Sequence, residues 1–295
     1  MRRTMLLVTT LASISAAPAN AQDWQDIRDE LGKRGTEDSG VLRIDFPRSD
    51  LDVSIKGVPV SAELALTTWY GFWPMPDGTM MVMGDTVVRE DELAGVLEEV
   101  EKQGLGITAV HNHLAQETPG VLYAHISGQG EGAELARKIK AVLSRTDAPM
   151  TGPAGEEEAP SVDWSSVTAV LGKPAETEGD LIEYAFPRAE RLSMDGREMP
   201  STEGLETAPE VKLQMLEDGR AVTYGEMVLT ADEVDSVFEA LTGHGMTVNA
   251  VHNHMLFEEP RLFYMHWWGV GAPQDLAAGL RAALDDMNVR QGSSD

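Results

Sequence analysis

Six of the chain's seven histidines fall in two short stretches whose residue types and spacing suit a metal ion. Ala109 to His125 reads A-V-H-N-H-L-A-Q-E-T-P-G-V-L-Y-A-H, and Ala250 to His266 reads A-V-H-N-H-M-L-F-E-E-P-R-L-F-Y-M-H. Each carries H-x-H, a Glu four residues after the second His, then Pro, Tyr and a third His. Side chains on a strand alternate faces, so His111 and His113 point one way and Asn112 the other. A return strand after the turn around Thr118 places His111 opposite His125 and His113 opposite Tyr123, close enough for three rings to converge. The same reasoning gathers His252, His254 and His266 beside Tyr264. Glu117 and Glu258 fall at the turns, where each is expected to serve as a fourth ligand or as the general base.

Three neutral nitrogens and an oxygen suit a divalent metal, zinc first, with copper, iron or manganese as alternatives. Three protein ligands with an open position are the usual form of a catalytic site, in which bound water is acidified into a nucleophile. The competing reading makes these histidines a polar core that hydrogen-bonds Asn112. Two matched sets in one chain favour metal. The letters H-N-H do not make an HNH nuclease, whose ligands are spread along a ββα unit. Nor does the pattern follow cupins, whose last His comes after a P-x-G turn in an all-β barrel, or JAMM proteases, whose following Ser and Asp are missing here.

The elements that must position these residues are duplicated too. Leu31-Gly32-Lys33 returns as Leu171-Gly172-Lys173, Phe46-Pro47-Arg48 as Phe186-Pro187-Arg188, and Asp91-Glu92 as Asp232-Glu233. From Ala109 to Leu143, 15 of 35 positions are identical 141 residues later, which makes this an internal duplication. Within each copy, alternating and aromatic-rich segments (Val41 to Phe46, Leu51 to Ile55, Thr67 to Trp73, Thr79 to Val88) predict strands. Helical spacing follows at Arg89 to Gln103, ended by Gly104, then strands at Ile107 to Leu114 and Val121 to Ser127, and a helix at Gly132 to Leu143. In the second copy the helices are expected near Ala231 to Thr242 and Pro273 to Asp286. The expectation is an α+β fold, a tandem duplication with each half an antiparallel sheet and two covering helices. The boundaries are 1–21 as a signal peptide, 22–145 as the first repeat, 146–160 as an acidic Pro/Gly linker and 161–295 as the second repeat.

Arg2 and Arg3 before the apolar run from Met5, with Ala19-Asn20-Ala21 at its end, read as a cleaved secretory signal, so the protein is expected in the periplasm or secreted. No later stretch approaches the ~20 apolar residues of a membrane span. The chain has no cysteine, which excludes disulfides, thiolate ligands and a lipidated N-terminal Cys. Its net charge of −26 disfavours nucleic acid as a partner. The partners left are the metal ion and a small-molecule substrate. Met75, Met80, Met81 and Met83 are better explained by strand packing than as Cu(I) ligands, because the second copy lacks the last three of them. Trp69, Tyr70, Phe72 and Trp73, with Trp267-Trp268, line a pocket or fill a core. His244 reads as a loop residue, and Asp91-Glu92 and Asp232-Glu233 as helix openers.

With V-H-N-H-M, E-x-P and F-Y-M-H-W-W-G-V-G in Val251 to Gly271, the chain resembles the LppY/LpqO family of bacterial exported proteins. That resemblance implies an exported, duplicated fold and no particular reaction. Three functions stay open: a metal-dependent hydrolase of small esters, lactones or amides, a non-catalytic metal carrier or sensor, and an envelope-binding module with structural histidines.

Overall fold

Apolar residues occupy both parities of Met80 to Val88 and Ala221 to Leu229, a pattern for strands covered on both faces. The computed structural model describes residues 21–150 and 159–290. The expected signal peptide, apart from Ala21, and residues 151–158 of the expected linker lie outside them.

In the first repeat the order is α1 (Ala21–Leu31), β1 (Thr36–Asp38), β2 (Val41–Pro47), β3 (Val53–Ile55), β4 (Val58–Val60), α2 (Ala62–Ala65), β5 (Thr67–Pro74), β6 (Met80–Arg89), α3 (Glu90–Gln103), β7 (Gly106–His111), β8 (Glu117–Thr118), β9 (Val121–Gly130) and α4 (Gly132–Leu143). The second follows the same plan: α5 (Ser165–Leu171), β10 (Glu176–Glu178), β11 (Leu181–Ala185), β12 (Leu192–Met194), β13 (Arg197–Met199), β14 (Glu210–Met215), β15 (Ala221–Leu229), α6 (Val234–Gly243), β16 (Thr247–His252), β17 (Glu258–Glu259), β18 (Phe263–Gly271) and α7 (Pro273–Asp285). Glu203–Leu205, a 3₁₀ turn, stands where the first repeat has α2, and a second 3₁₀ turn at Ala231–Glu233 leads into α6.

Each repeat builds a six-stranded antiparallel sheet, ordered β1-β2-β5-β6-β9-β7 in the first and β10-β11-β14-β15-β18-β16 in the second, with a small three-stranded sheet beside it. The fold is α+β and duplicated, as expected. Three helices rather than two cover each sheet's outer face, because α1 and α5 join the core through Trp24, Ile27 and Leu31 and through Trp164, Val167 and Leu171. Gly104, at φ +67°, ends α3 in the left-handed conformation that Gly adopts at low cost. The expected linker begins late: the Asp147 backbone N–H donates to Glu92 at 2.9 Å and Ala148 is buried.

Strand parity sorts the two faces. On β6, Met80, Val82 and Val88 face the helices, whereas Met81, Met83 and Val87 face the other repeat. The inner faces pack together in two mixed clusters: one joins Val87, Val121 and Tyr123 to Val222, Tyr224 and Trp268, the other Trp69, Met81 and Met83 to Leu192, Val228 and Tyr264. The result is four layers, helices, sheet, sheet, helices, with both sheets turned inward. Met75, Met80, Met81 and Met83, and Trp69, Tyr70, Phe72, Trp267 and Trp268, are core.

Two close approaches need glycine. A Cβ on Gly84 would lie 2.2 Å from the Trp69 carbonyl oxygen, and one on Gly225 2.1 Å from that of Glu210. These matched glycines let neighbouring strands close up beside the residues that follow them, Asp85 and Glu226.

Candidate metal centre

The two histidine sets do not form separate sites. They meet between the sheets in one cluster arranged about the pseudo-twofold axis that relates the repeats. His111 packs on its counterpart His252 with ring centroids 3.6 Å apart. His113 packs on His266 at 3.8 Å, and the equivalent pair under the repeat symmetry, His125 and His254, lies at 4.0 Å. His113, His125, His254 and His266 are buried, while His111 and His252 are partly exposed.

The expected cross-strand pairing is corrected by two residues. Ala109, not His111, lies opposite His125, and His111 rather than His113 lies opposite Tyr123, with a bulge between Ile107 and Ala109. The second repeat pairs in the same way, Ala250 with His266 and His252 with Tyr264. The reason is that β7 ends at His111. The following loop closes on itself: the Asn112 side chain donates to the Val121 carbonyl at 3.2 Å, and Asn253 to that of Leu262 at 2.8 Å. The segment expected as a strand through Leu114 therefore turns away, and His113 swings under Tyr123, with ring centroids 3.8 Å apart.

Glu117 and Glu258 belong to that loop. Glu117 Oε1 accepts from the Val121 N–H at 3.4 Å, and Glu258 Oε1 from the Leu262 N–H at 3.1 Å, with Arg261 paired to Glu258 at 3.2 Å. The carboxylates beside the rings are different ones, first Asp85 and Glu226, which occupy the same position in the two repeats. Asp85 lies 3.7 Å from His113 Nε2 and 3.8 Å from His125 Nε2, and Glu226 lies 3.4 Å from His266 Nε2. A third, Glu206, meets His254 Nε2 at 3.1 Å from a left-handed backbone (φ +47°) just after the 3₁₀ turn. The position 141 residues before it is Ala65, so this carboxylate has no equivalent in the first repeat. Sequence signals did exist for Asp85 and Glu226: each is a lone acid in an apolar strand, behind a matched glycine, on the inward parity.

Three sets of donors come together: His111, His113 and His252; Asp85, His113 and His125; and Glu226, His252 and His266, the ligand atoms of each set lying within 4.8 Å of one another. Two donors on one ion at about 2.1 Å are at most about 4.2 Å apart, so modest inward movement would bring these sets into range. The rings are oriented for it. His111 and His252 place Nδ1 on the carbonyls of Asn112 and Asn253 at 3.1 and 3.2 Å, and His266 on that of Gly225 at 3.0 Å. With Nδ1–H donating, Nε2 presents its lone pair to the centre, as outer-shell hydrogen bonds do in metal sites. His111 Nε2, Asp85 Oδ1 and both Glu226 oxygens are buried without a hydrogen-bond partner. Leaving such groups unmet costs about 1–3 kcal/mol each. The protein thus holds groups of His, Asp and Glu side chains that could bind a metal.

Burial, joined by the neighbouring imidazoles, pushes the ring pKa values down: His111 to about 4, His254, by burial alone, and His266 to about 3, and His113, His125 and His252 well below the ordinary value. All six are neutral at pH 7, the form that ligates. Burial, reinforced by Glu206, pushes Asp85 and Glu226 well up, and burial pushes Glu206 to about 8. A cavity of about 40 Å³ touches Asp85, His113, Glu226 and His266. That is room for a few water molecules. His244 is elsewhere, capping α6, its Nδ1 2.8 Å from the Ala240 carbonyl.

The family profile described as Domain of Unknown Function (DUF1259) matches residues 25–145 and again 165–286. No curated protein matches. Among solved structures, the double-ringed trimeric shell protein MSM0271 from the RMM microcompartment is similar at 11% identity and a TM-score of 0.20, over 86% of this chain and 97% of that one. The trimeric bacterial microcompartment shell protein PduB is similar at 12% and 0.20, over 85% and 90%. Likeness at that level carries no argument about function.

Proposed function

We propose that this chain, which belongs to the family described as Domain of Unknown Function (DUF1259), is an exported metal-binding protein whose two repeats share one centre, and that it holds its ion rather than turning over a substrate. The observation that carries the proposal is the convergence of five neutral imidazoles, His111, His113, His125, His252 and His266, on two buried carboxylates, with His111 Nε2, Asp85 Oδ1 and both Glu226 oxygens lacking a protein partner. Zinc suits this set of nitrogen and carboxylate donors best, with copper, iron and manganese as competitors. The resemblance to LppY/LpqO proteins and the apolar run before Gln22 support a place outside the cytoplasm. Among the described residues no helix is long and apolar enough to cross a membrane.

Holding is favoured over hydrolysis for two reasons. Glu117 and Glu258, the bases a hydrolase was expected to use, are bonded to loop backbone. The cavity at the histidines is also far smaller than the several hundred Å³ of a typical substrate pocket. One observation keeps the hydrolytic reading as the alternative: Asp85 and Glu226 stand beside the rings where a base would be needed.

The test is elemental analysis of the mature protein purified without a histidine tag, with a chelator-controlled screen on small esters, lactones and amides. Near-stoichiometric metal without chelator-sensitive turnover is the expected result. Chelator-sensitive turnover would reinstate the hydrolase. A protein that takes up none of zinc, copper, iron or manganese contradicts both.

A further inference from the structure

Most of the cluster is buried, so an ion needs a way in. Resting on the metal-binding reading, we infer that the acidic cleft between the repeats is the route by which a hydrated divalent cation reaches the histidines, with Glu206 as the carboxylate that receives it.

The cleft, about 460 Å³, is walled by β1 and β2 on one side and by β10, β11 and β14 on the other. Nine carboxylates line it against two cations, Arg43 and Lys212. Those cations are already paired, Arg43 with Asp45 at 2.8 Å and Lys212 with Glu210 at 2.9 Å and Glu183 at 3.3 Å. Glu63, Glu176, Glu178 and Glu203 form no ion pair among the described residues. A cleft of one sign of charge between low-dielectric walls focuses its field and concentrates the opposite charge at its mouth.

This cleft leads inward. It shares Arg43, Glu63, Thr67, Glu210 and Lys212 with the small cavity, whose inner wall carries Asp85 and Glu226, 2% and 3% exposed and with unpartnered oxygens. At the junction, Glu206 reaches both ways, with Oε1 3.9 Å from Arg43 Nη1 and Oε2 3.1 Å from His254 Nε2. An arriving cation can take the place of Arg43 on Glu206 and pass to the imidazoles. On the other side His111 and His252 are partly exposed, and the exposed residues nearest them in sequence include Val110, Val251, Leu256 and Phe257, apolar side chains that offer a hydrated ion nothing.

The experiment measures the rate at which chelator-stripped mature protein takes up Zn(II) from a colorimetric indicator, at low and raised salt. The variant is Glu63→Gln/Glu176→Gln/Glu178→Gln/Glu203→Gln, which leaves every candidate ligand in place. A charge-matched control, Glu98→Gln/Glu101→Gln/Asp235→Asn/Glu239→Gln, changes exposed positions on α3 and α6. Uptake by the cleft variant is expected to slow on the order of tenfold at low salt and to lose most of its salt dependence, with the final zinc content unchanged. The control should load like the unaltered protein. Equal slowing in both variants, or unchanged uptake by the cleft variant, overturns the route while leaving the centre standing. Absence of zinc from the unaltered protein overturns the metal reading itself.

Discussion

Asp85 and Glu226 are the residues on which the chemistry turns, because each is a buried carboxyl, with Asp85 Oδ1 and both Glu226 oxygens lacking a hydrogen-bond donor in the protein. If their role is ligation, Glu226→Gln should weaken zinc binding by about tenfold or more while shifting the melting temperature of metal-free protein by no more than ~2 °C, since a neutral carboxyl and an amide are close in size. Unchanged affinity in a zinc titration would remove Glu226 from the centre. The pH dependence of metal-free protein follows from the same groups. Between about pH 4 and 6 the unfolded chain protonates six imidazoles that the folded chain keeps neutral, whereas the folded chain holds extra protons on five buried carboxyls, Asp85, Glu183, Glu203, Glu206 and Glu226. The unfolded state then binds more protons, and stability rises with pH. Above about pH 6 the unfolded histidines release theirs while the buried carboxyls retain theirs, Glu203 to about pH 7 and Glu206 to about pH 8, and stability falls. A melting temperature that peaks near pH 6 in chelator is expected, and a steady rise through pH 8 would contradict it. At this scale the histidines were legible from their spacing. The acids were not read, because a single Asp or Glu in an apolar strand is recognisable as inward only when strand parity and the matched glycine are taken together.

Among the elements, the loop from Asn112 to Gly120 shows why the expected pairing was two residues out. A tight return places residues by counting from the turn, but Asn112 and Glu117 bond across this loop to Val121 and pull His113 out of the strand. Counting cannot anticipate side chains that replace ladder hydrogen bonds. The Phe-Pro-Arg motif has a comparable role that its sequence did not disclose. Arg48 is fully buried and bonds Glu92, Asp50 and the Val87 carbonyl, and Arg188 does the same with Glu233, Glu190 and the Val228 carbonyl. Each clasp ties the end of a central strand to the helix that follows, so the acids read as helix openers are also the arginines' counter-ions. Arg188→Met leaves Glu233 buried without its cation, at a cost of about 3–5 kcal/mol, which should lower the melting temperature by about 10 °C. A shift under ~2 °C would mean that the clasp contributes little.

The whole molecule is two copies of one half, face to face, and that duplication was the most legible feature of all. What the repeats do to each other was not legible, because each copy read alone completes its own three-histidine set. The clue lay in the central strands: apolar on both faces, they had to be covered by helices on one side and by something else on the other. The something else is the other repeat, and the sites merge as a consequence, His113 packing on His266 and His125 on His254. The measurement that bears most directly on this is metal content per chain in unaltered protein, in His111→Ala/His113→Ala and in His252→Ala/His254→Ala, each loaded with zinc and freed of excess. A shared centre requires each variant to keep less than half of the bound zinc, because either pair supplies ligands to ions that the other repeat also holds. Two variants that each retain half would establish independent sites and contradict the shared centre.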